Sequence, residues 1–183
     1  MYIKESNFKS MKTLRELTLS KHKEAENMIF NVKMLNGQLT KEEYAKYLIS
    51  QLEIFTAIEE NFKLPNNRLL RTEAVMKDLK ALGVYQLELP TNTSLDYGMY
   101  LRNLDKDKAM AHVYLNYLAI VYGGQMMKNQ TPGPGHMYEF KDMMECAKSI
   151  REIQRDDWAD EVNKGFGFVI QIFKELEECL ITN

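Results

Sequence analysis

The chain has 183 residues, of which 45% are hydrophobic and 27% charged, and its formal net charge is -2. A near-neutral charge without blocks of like charge argues against a nucleic-acid-binding surface. This length suits one domain with a core large enough to enclose a ligand cavity, so we expect a single domain over residues 1–183.

Apolar residues recur at spacings of three and four along most of the chain, which predicts an all-α fold. The first predicted helix covers residues 10–31 and ends before Gly37. Its buried side carries five apolar residues: Leu14, Leu17, Ala25, Met28 and Ile29. The second helix begins after Thr40, where Glu43 three residues later completes a capping box.

The later part of the chain continues the helical pattern. A short helix ends at Gly83, and another opens at Ser94. A longer helix begins at Asp105 or Lys106 and ends before "TPGPGH", because proline cannot continue it. The last two predicted helices cover residues 137–154 and 156–180, the second with Asp156 as its N-cap.

Several classes of protein are excluded by missing patterns. Two cysteines, Cys146 and Cys179, lack CxxC spacing, which argues against a disulfide framework or a structural zinc site. No HExxH, GxSxG, Walker A or GxGxxG pattern occurs. The N-terminus has no apolar signal segment, and no apolar run reaches the roughly 18 residues of a membrane span. These features predict a cytoplasmic protein.

The helix that precedes "TPGPGH" contains two adjacent glycines, Gly123 and Gly124, within "LAIVYGGQMMKN". Each glycine inside a helix costs about 1 kcal/mol relative to alanine. Two explanations stand: tight packing between helices, or close approach of the helix backbone to a ligand. On the second explanation, a bulky residue at either position blocks the ligand and leaves the ligand-free protein as stable or more stable.

His22 shares a helix face with Leu19, Ala25 and Ile29, and Glu26 follows four residues later. A carboxylate at that spacing accepts a hydrogen bond from Nδ1 and leaves Nε2 free to bind a metal. The alternative is a structural histidine beside an apolar face. No second set of metal ligands accompanies His22, and a lone histidine suits heme, because the porphyrin supplies the other four ligands.

Four segments resemble heme oxygenases and occur in the same order: "HKEAEN" from His22, "AHVYLNYL" from Ala111, "GGQ" from Gly123 and "IQIFKELEECL" from Ile170. The resemblance spans nearly the whole chain and implies a single-domain, multi-helix heme oxygenase-like fold. It implies cleavage of heme to biliverdin, CO and ferrous iron with O₂. The electrons come from outside, from ferredoxin or a flavoprotein reductase.

By this resemblance, His22 ligates the heme iron and Glu26 is its neighbouring carboxylate. The helix with Gly123 and Gly124 is the kinked distal helix over the heme. The side chains implied to hold the heme propionates are Arg15, Tyr114, Lys148 and Arg151.

Two positions depart from the family pattern. Many members carry "GDLSGG" where this chain has "AIVYGG", so Ile120 replaces an aspartate that organises waters. Asn116 stands where many members have a propionate-binding arginine. We therefore expect waters held by backbone carbonyls at the kink to deliver protons. The side chains available to help them are Tyr122, Tyr114, His112 and His136.

Two other functions compete with heme cleavage. A heme-binding or heme-storage protein of the same fold without turnover is favoured by Ile120, which cannot donate a proton. A helical protein that binds another ligand is the second alternative, in which His22 is structural.

Overall fold

The structure, a computed structural model, describes residues 12–181, and this part of the chain contains helices and no strand. The predicted all-α fold is therefore confirmed. In chain order the α-helices are α1 (Leu14–Glu26), α2 (Ile29–Leu35), α3 (Lys41–Asn61), α4 (Thr72–Ala81), α5 (Asn92–Arg102), α6 (Lys106–Leu118), α7 (Gly124–Met127), α8 (Met143–Ile153) and α9 (Ala159–Ile181). A π-helical segment, Ala119–Gly123, joins α6 to α7 without a loop.

Three helix ends lie where local sequence signals placed them. The Thr40 side chain accepts a hydrogen bond from Glu43 N, and the Glu43 carboxylate accepts one from Thr40 N, so the predicted capping box opens α3. Asp105 caps α6 by accepting from Lys108 N. Gly83, with φ of 84°, lies just beyond α4 in the left-handed conformation that favours glycine.

The first predicted helix is wrong as a single element, because the chain breaks between α1 and α2. The side chain of Asn27 donates to Lys23 O (2.8 Å) and that of Asn31 donates to Glu26 O (3.1 Å). These bonds satisfy backbone carbonyls at the end of α1, and the helix stops there. Ser10, the predicted first residue, lies outside the described residues.

Burial along α1 also differs from the prediction. Leu14 and Ala25 are buried as expected, whereas Leu17 is 41% and Ile29 64% exposed. Helix α1 turns the side with Leu14, Thr18 and Ala25 towards the core. The apolar residues around His22 therefore include several that face solvent.

Two later helices start at other residues than predicted, because a different residue caps each of them. Thr91 accepts from Ser94 N, so α5 starts at Asn92 and not at Ser94. Asp142 accepts from Glu145 N, so α8 starts at Met143 and not at residue 137.

Asp156 was predicted to cap the last helix, but its side chain caps α1 instead. It lies in a 3₁₀ turn, Asp156–Trp158, that precedes α9. Its Oδ1 accepts from Leu14 N at 2.7 Å, across 142 residues of sequence. Asp156 therefore supplies a tertiary cap to the first turn of α1.

Helix α9 occupies the centre of the fold and packs against α1, α2, α3, α5 and α6. Helix α8 packs against α6 and the π segment. The described helices include none that combines the length and apolar character needed to cross a bilayer.

The Asp156 cap generates a stability prediction. Replacing Asp156 with alanine leaves Leu14 N without its acceptor, so we expect a loss of about 1 kcal/mol in the free energy of unfolding. For a chain of this size that corresponds to roughly 2–4 °C in Tm. Asp156→Asn keeps an acceptor oxygen and should lose less, and Asp160→Ala, on the exposed first turn of α9, is the control. Equal Tm values for Asp156→Ala and the control would contradict the cap.

Candidate functional site

The site starts at His22 on α1. Its side chain is 51% exposed, and Nδ1 lies 3.5 Å from Oε2 of Glu26. The edge of the imidazole contacts the ring of Phe166 on α9, with centroids 5.7 Å apart and planes at 86°. The carboxylate lies near one nitrogen and the phenyl ring limits rotation, so Nε2 is the nitrogen left for a ligand.

A metal centre built from several protein ligands is missing from this part of the molecule. Within residues 12–181, His, Cys, Asp and Glu side chains form no group of three or more that could hold a metal ion. Any metal at His22 must therefore bring most of its own ligands, as a heme does.

Arg15 lies on the same face of α1 as His22, about two helical turns earlier, and is exposed. The spacing places a positive charge roughly 10 Å along the helix from the imidazole. This distance suits one cation serving the edge of a flat ligand whose centre lies over His22.

A second part of the site is the π segment, Ala119–Gly123, which lies where the sequence placed the glycine pair. A π turn contains one extra residue and interrupts the regular backbone hydrogen bonds of the α-helix. Some carbonyl oxygens in the segment therefore lack the partner that an α-helix would give them. Ile120 and Val121 point into the core, while Tyr122 is 47% exposed.

The two glycines have different surroundings. A Cβ at Gly124 would overlap the ring of Tyr138 and lie 3.1 Å from its Cγ, and Tyr138 is fully buried. A Cβ at Gly123 would have no neighbour within 4 Å. Tight packing therefore explains Gly124, whereas Gly123 borders open space.

The prediction that both positions tolerate a larger side chain in the ligand-free protein is therefore wrong for Gly124. The Tyr138 atoms that a larger side chain would meet are Cδ1, Cγ and Cβ, close to the backbone of a buried residue, so the substitution forces a shift in the core.

A third group lies beside the π segment. The guanidinium carbon of Arg151 on α8 is 5.7 Å from the ring centroids of both Tyr114 and Tyr122, and Arg151 Nη1 donates to Gln154 Oε1 at 2.8 Å. The structure thus brings together three residues that the sequence singled out. Lys148, one turn earlier, is exposed and lies 3.7 Å from Glu152.

Ile120 and Asn116, which we expected to depart from the family pattern, face inward. Ile120 is 5% exposed. Asn116 is buried, and its Nδ2 donates to Tyr97 OH (3.0 Å) and to His112 O (2.9 Å). The Asn116 amide therefore forms its hydrogen bonds inside the protein and does not lie at the surface.

His112 belongs to a polar network between α5, α6 and α9 that sequence reasoning missed. It is fully buried; Nδ1 lies 2.6 Å from Tyr97 OH and Nε2 lies 2.9 Å from Glu161 Oε1. Glu161 also accepts a hydrogen bond from Tyr100 OH. Both ring nitrogens of His112 are occupied, so this histidine has no nitrogen left to serve a ligand.

The electrostatics of this network favour a neutral imidazole beside a carboxylate. Burial lowers the pKa of His112 below its ordinary value and outweighs the opposing effect of Glu161. Burial by itself raises the pKa of Glu161, but hydrogen bonds from Tyr100 and His112 outweigh it and leave that pKa below its ordinary value.

His136, the other histidine considered as a proton source, lies in the turn His136–Tyr138. Its Nδ1 is 2.9 Å from Glu139 Oε2, and it is partly exposed.

A second buried network supports α6 just before the π segment. Tyr117 OH donates to Glu59 Oε1 at 2.9 Å, and the same carboxylate accepts from Thr72 N. Arg71 next to it donates to five backbone carbonyl groups, and its burial lowers the pKa of its guanidinium. The end of α6 is therefore fixed from the interior by Tyr117.

Phe166 is the residue that links the parts of the site. Gly165, the residue before it, lies so close to α6 that an added Cβ would be 2.5 Å from Leu115 Cδ2 and 3.0 Å from His112 Nδ1. His22 and α6 therefore meet α9 at the same level, on neighbouring faces. The signal in the sequence was Gly165 in "GFGF" at 165–168, whereas Gly167 in the same motif has no neighbour within 4 Å.

Comparison with known proteins identifies relatives of this chain. A family model described as Heme oxygenase matches residues 9–149. Heme oxygenase 1 of Nostoc sp. strain PCC 7120 is 29% identical over 206 aligned positions, which cover 92% of this chain and 86% of that protein.

Solved structures share the architecture. Heme oxygenase-1 from Synechocystis sp. PCC6803, crystallised in complex with heme, superposes with a TM-score of 0.81 at 23% identity and covers 92% of each chain. Heme oxygenase from Leptospira interrogans gives a TM-score of 0.77 at 25% identity, covering 88% of this chain and 97% of that one.

The unequal glycines generate a prediction for the ligand-free protein. Gly124→Ala should lower the free energy of unfolding by about 1–3 kcal/mol through overpacking against Tyr138. Gly123→Ala should leave it unchanged or raise it by up to about 1 kcal/mol, because alanine favours helix and meets open space. Urea unfolding of the two variants measures the difference. Equal midpoints would show that Tyr138 does not restrict Gly124.

Proposed function

This chain belongs to the heme oxygenase family, and we propose that it cleaves heme to biliverdin, CO and ferrous iron with O₂ and externally supplied electrons. It is an enzyme that degrades heme, and heme is its ligand. The observation that carries the proposal at the level of the site is His22: half-exposed, placed beside Glu26 and braced by Phe166. The family match also disfavours another ligand with a purely structural His22.

In this proposal a heme would lie between α1, which carries His22, and the π segment. When bound, heme supplies the iron that activates O₂ and is itself the substrate. His22 would hold the iron through Nε2, with Glu26 favouring the tautomer that carries its proton on Nδ1. Open space at Gly123 lets the backbone approach the opposite heme face.

The propionates would lie between two cationic positions. Arg151 is held in place by the faces of Tyr114 and Tyr122 and by Gln154, so its guanidinium loses little freedom on pairing with a carboxylate. Arg15, about two turns before His22, would serve the other propionate. Lys148 adds positive charge beside Arg151.

Proton delivery is the step in which this chain departs from the pattern of its family. Ile120 carries no donor and is buried, and both nitrogens of His112 are occupied. Backbone carbonyls freed by the π segment would then hold the waters that deliver protons. Tyr122, whose side chain is partly exposed, is the residue of the segment that carries a hydroxyl and could join them.

The electron donor we propose is ferredoxin or a flavoprotein reductase, since the sequence contains no flavin or nicotinamide motif of its own. The cytoplasmic location inferred from the sequence stays a prediction.

Spectroscopy of the hemin complex tests the assignment of His22. His22→Ala should change the axial ligation of hemin, and added imidazole should restore it, while stability changes by less than about 1 kcal/mol because the position is half-exposed. His136→Ala, at a histidine paired with Glu139, is the matched control and should resemble wild type. A wild-type spectrum for His22→Ala would show that another group ligates the iron.

Turnover tests the reaction itself. Wild-type protein with hemin, ferredoxin, its reductase and NADPH should convert the heme spectrum to that of biliverdin. Ile120→Asp should change the rate without being needed for turnover, because the waters are already held by the backbone. Persistent heme in the wild type, together with biliverdin from Ile120→Asp, would favour the heme-binding protein without turnover, which the buried Ile120 supports.

A further inference from the structure

The buried network around His112 has one consistent direction of donation. Asn116 Nδ2 donates to Tyr97 OH, whose hydroxyl proton can then go only to Nδ1 of His112. His112 therefore carries its own proton on Nε2 and donates it to Glu161. Glu161 also accepts from Tyr100, so the Tyr97 hydroxyl and both ring nitrogens of His112 are paired. A network paired in this way favours one geometry.

The Glu161–His112 hydrogen bond joins α9 to α6 at the level of the closest contact between the two helices. Gly165 lies one turn after Glu161 on the same face of α9, and its missing side chain leaves room for Leu115 and the His112 ring. Together the bond and the contact fix how α9 is rotated about its own axis.

The neighbouring face of α9 points to α1. Phe166 follows Gly165 by about 100° around the helix and contacts His22. Asn163, three residues before Phe166, donates to Leu17 O at 3.3 Å. Helix α9 therefore forms the hydrogen bond to His112 of α6 on one face and contacts His22 through Phe166 on the neighbouring face.

We infer that Glu161 and His112 are positioning residues for His22: their hydrogen bond sets the rotation of α9 and so the place of Phe166 against the imidazole. The inference rests on the proposed function for the role of His22. A helix side chain extends roughly 5–6 Å from the axis, so a rotation of about 10° moves Phe166 by roughly 1 Å. A shift of that size changes the orientation in which His22 meets its ligand.

The test compares two carboxylates on α9. Glu161→Ala removes the bond to His112, while Glu161→Gln keeps an acceptor oxygen for both Nε2 and Tyr100. Glu175→Ala is the matched control: Glu175 is also half-buried and accepts from Thr93 at the start of α5, well away from Phe166. Each variant is measured without heme and with hemin.

The first readout needs no heme. The NMR shift of the His22 Cε1 proton reports the ring of Phe166, because an aromatic ring shifts nearby protons. It should move in Glu161→Ala and stay at the wild-type value in Glu161→Gln and Glu175→Ala. An unmoved signal in Glu161→Ala, or an equal movement in Glu161→Gln, would overturn the inference.

The second readout is hemin affinity, which should fall roughly three- to tenfold in Glu161→Ala and stay near wild type in the control. If Glu161 acts through Phe166, adding Glu161→Ala to Phe166→Leu should weaken binding little further. Fully additive losses would overturn the inference, and this comparison still decides if Glu161→Ala alone folds poorly. Wild-type protein that binds no hemin through His22 would instead refute the proposed function and leave the NMR result standing.

Discussion

The close approach of α9 to α6 at Gly165 is the contact on which the rest of the site depends. An added Cβ would lie 2.5 Å from Leu115 Cδ2 and 3.0 Å from His112 Nδ1, so any larger residue requires these side chains to shift. The approach puts Glu161 within hydrogen-bonding reach of His112. It also places Phe166 of α9 against His22 of α1. A glycine that weakens the helix locally by about 1 kcal/mol thus permits packing and hydrogen bonds that stabilise the whole bundle.

The two adjacent glycines at the end of the π segment and the start of α7 have different roles. Gly124 lets the chain pack on Tyr138 and fixes the segment from behind, while Gly123 leaves the other side open. Tyr117 anchors the preceding turn through Glu59. A segment held this firmly from the interior can expose an irregular backbone without collapsing onto the open space, which a distal surface over a flat ligand requires.

The polar side chains near the site fall into a buried group and an exposed group. His112, Asn116 and Tyr117 use their hydrogen bonds inside the protein, whereas His22 and Arg151 lie at its surface. Since His112 and Tyr117 use their side-chain hydrogen bonds inside the protein, we expect a ligand to be bound by the exposed groups and by backbone carbonyls. Ile120 is itself buried and apolar, so it adds to the core beneath the π segment.

The sequence by itself determined the elements and the axial candidate. Helical spacing, the Thr40 capping box and the lone His22 followed by Glu26 are local patterns, and local hydrogen bonding is enough to specify them. Only the tertiary structure decided the break after Glu26, the use of Asp156 by Leu14, the unequal roles of Gly123 and Gly124, and the support of His22 by Phe166. Each of these depends on an atom from a distant part of the chain that satisfies a donor or fills a space, and the residues near it in sequence do not reveal that neighbour.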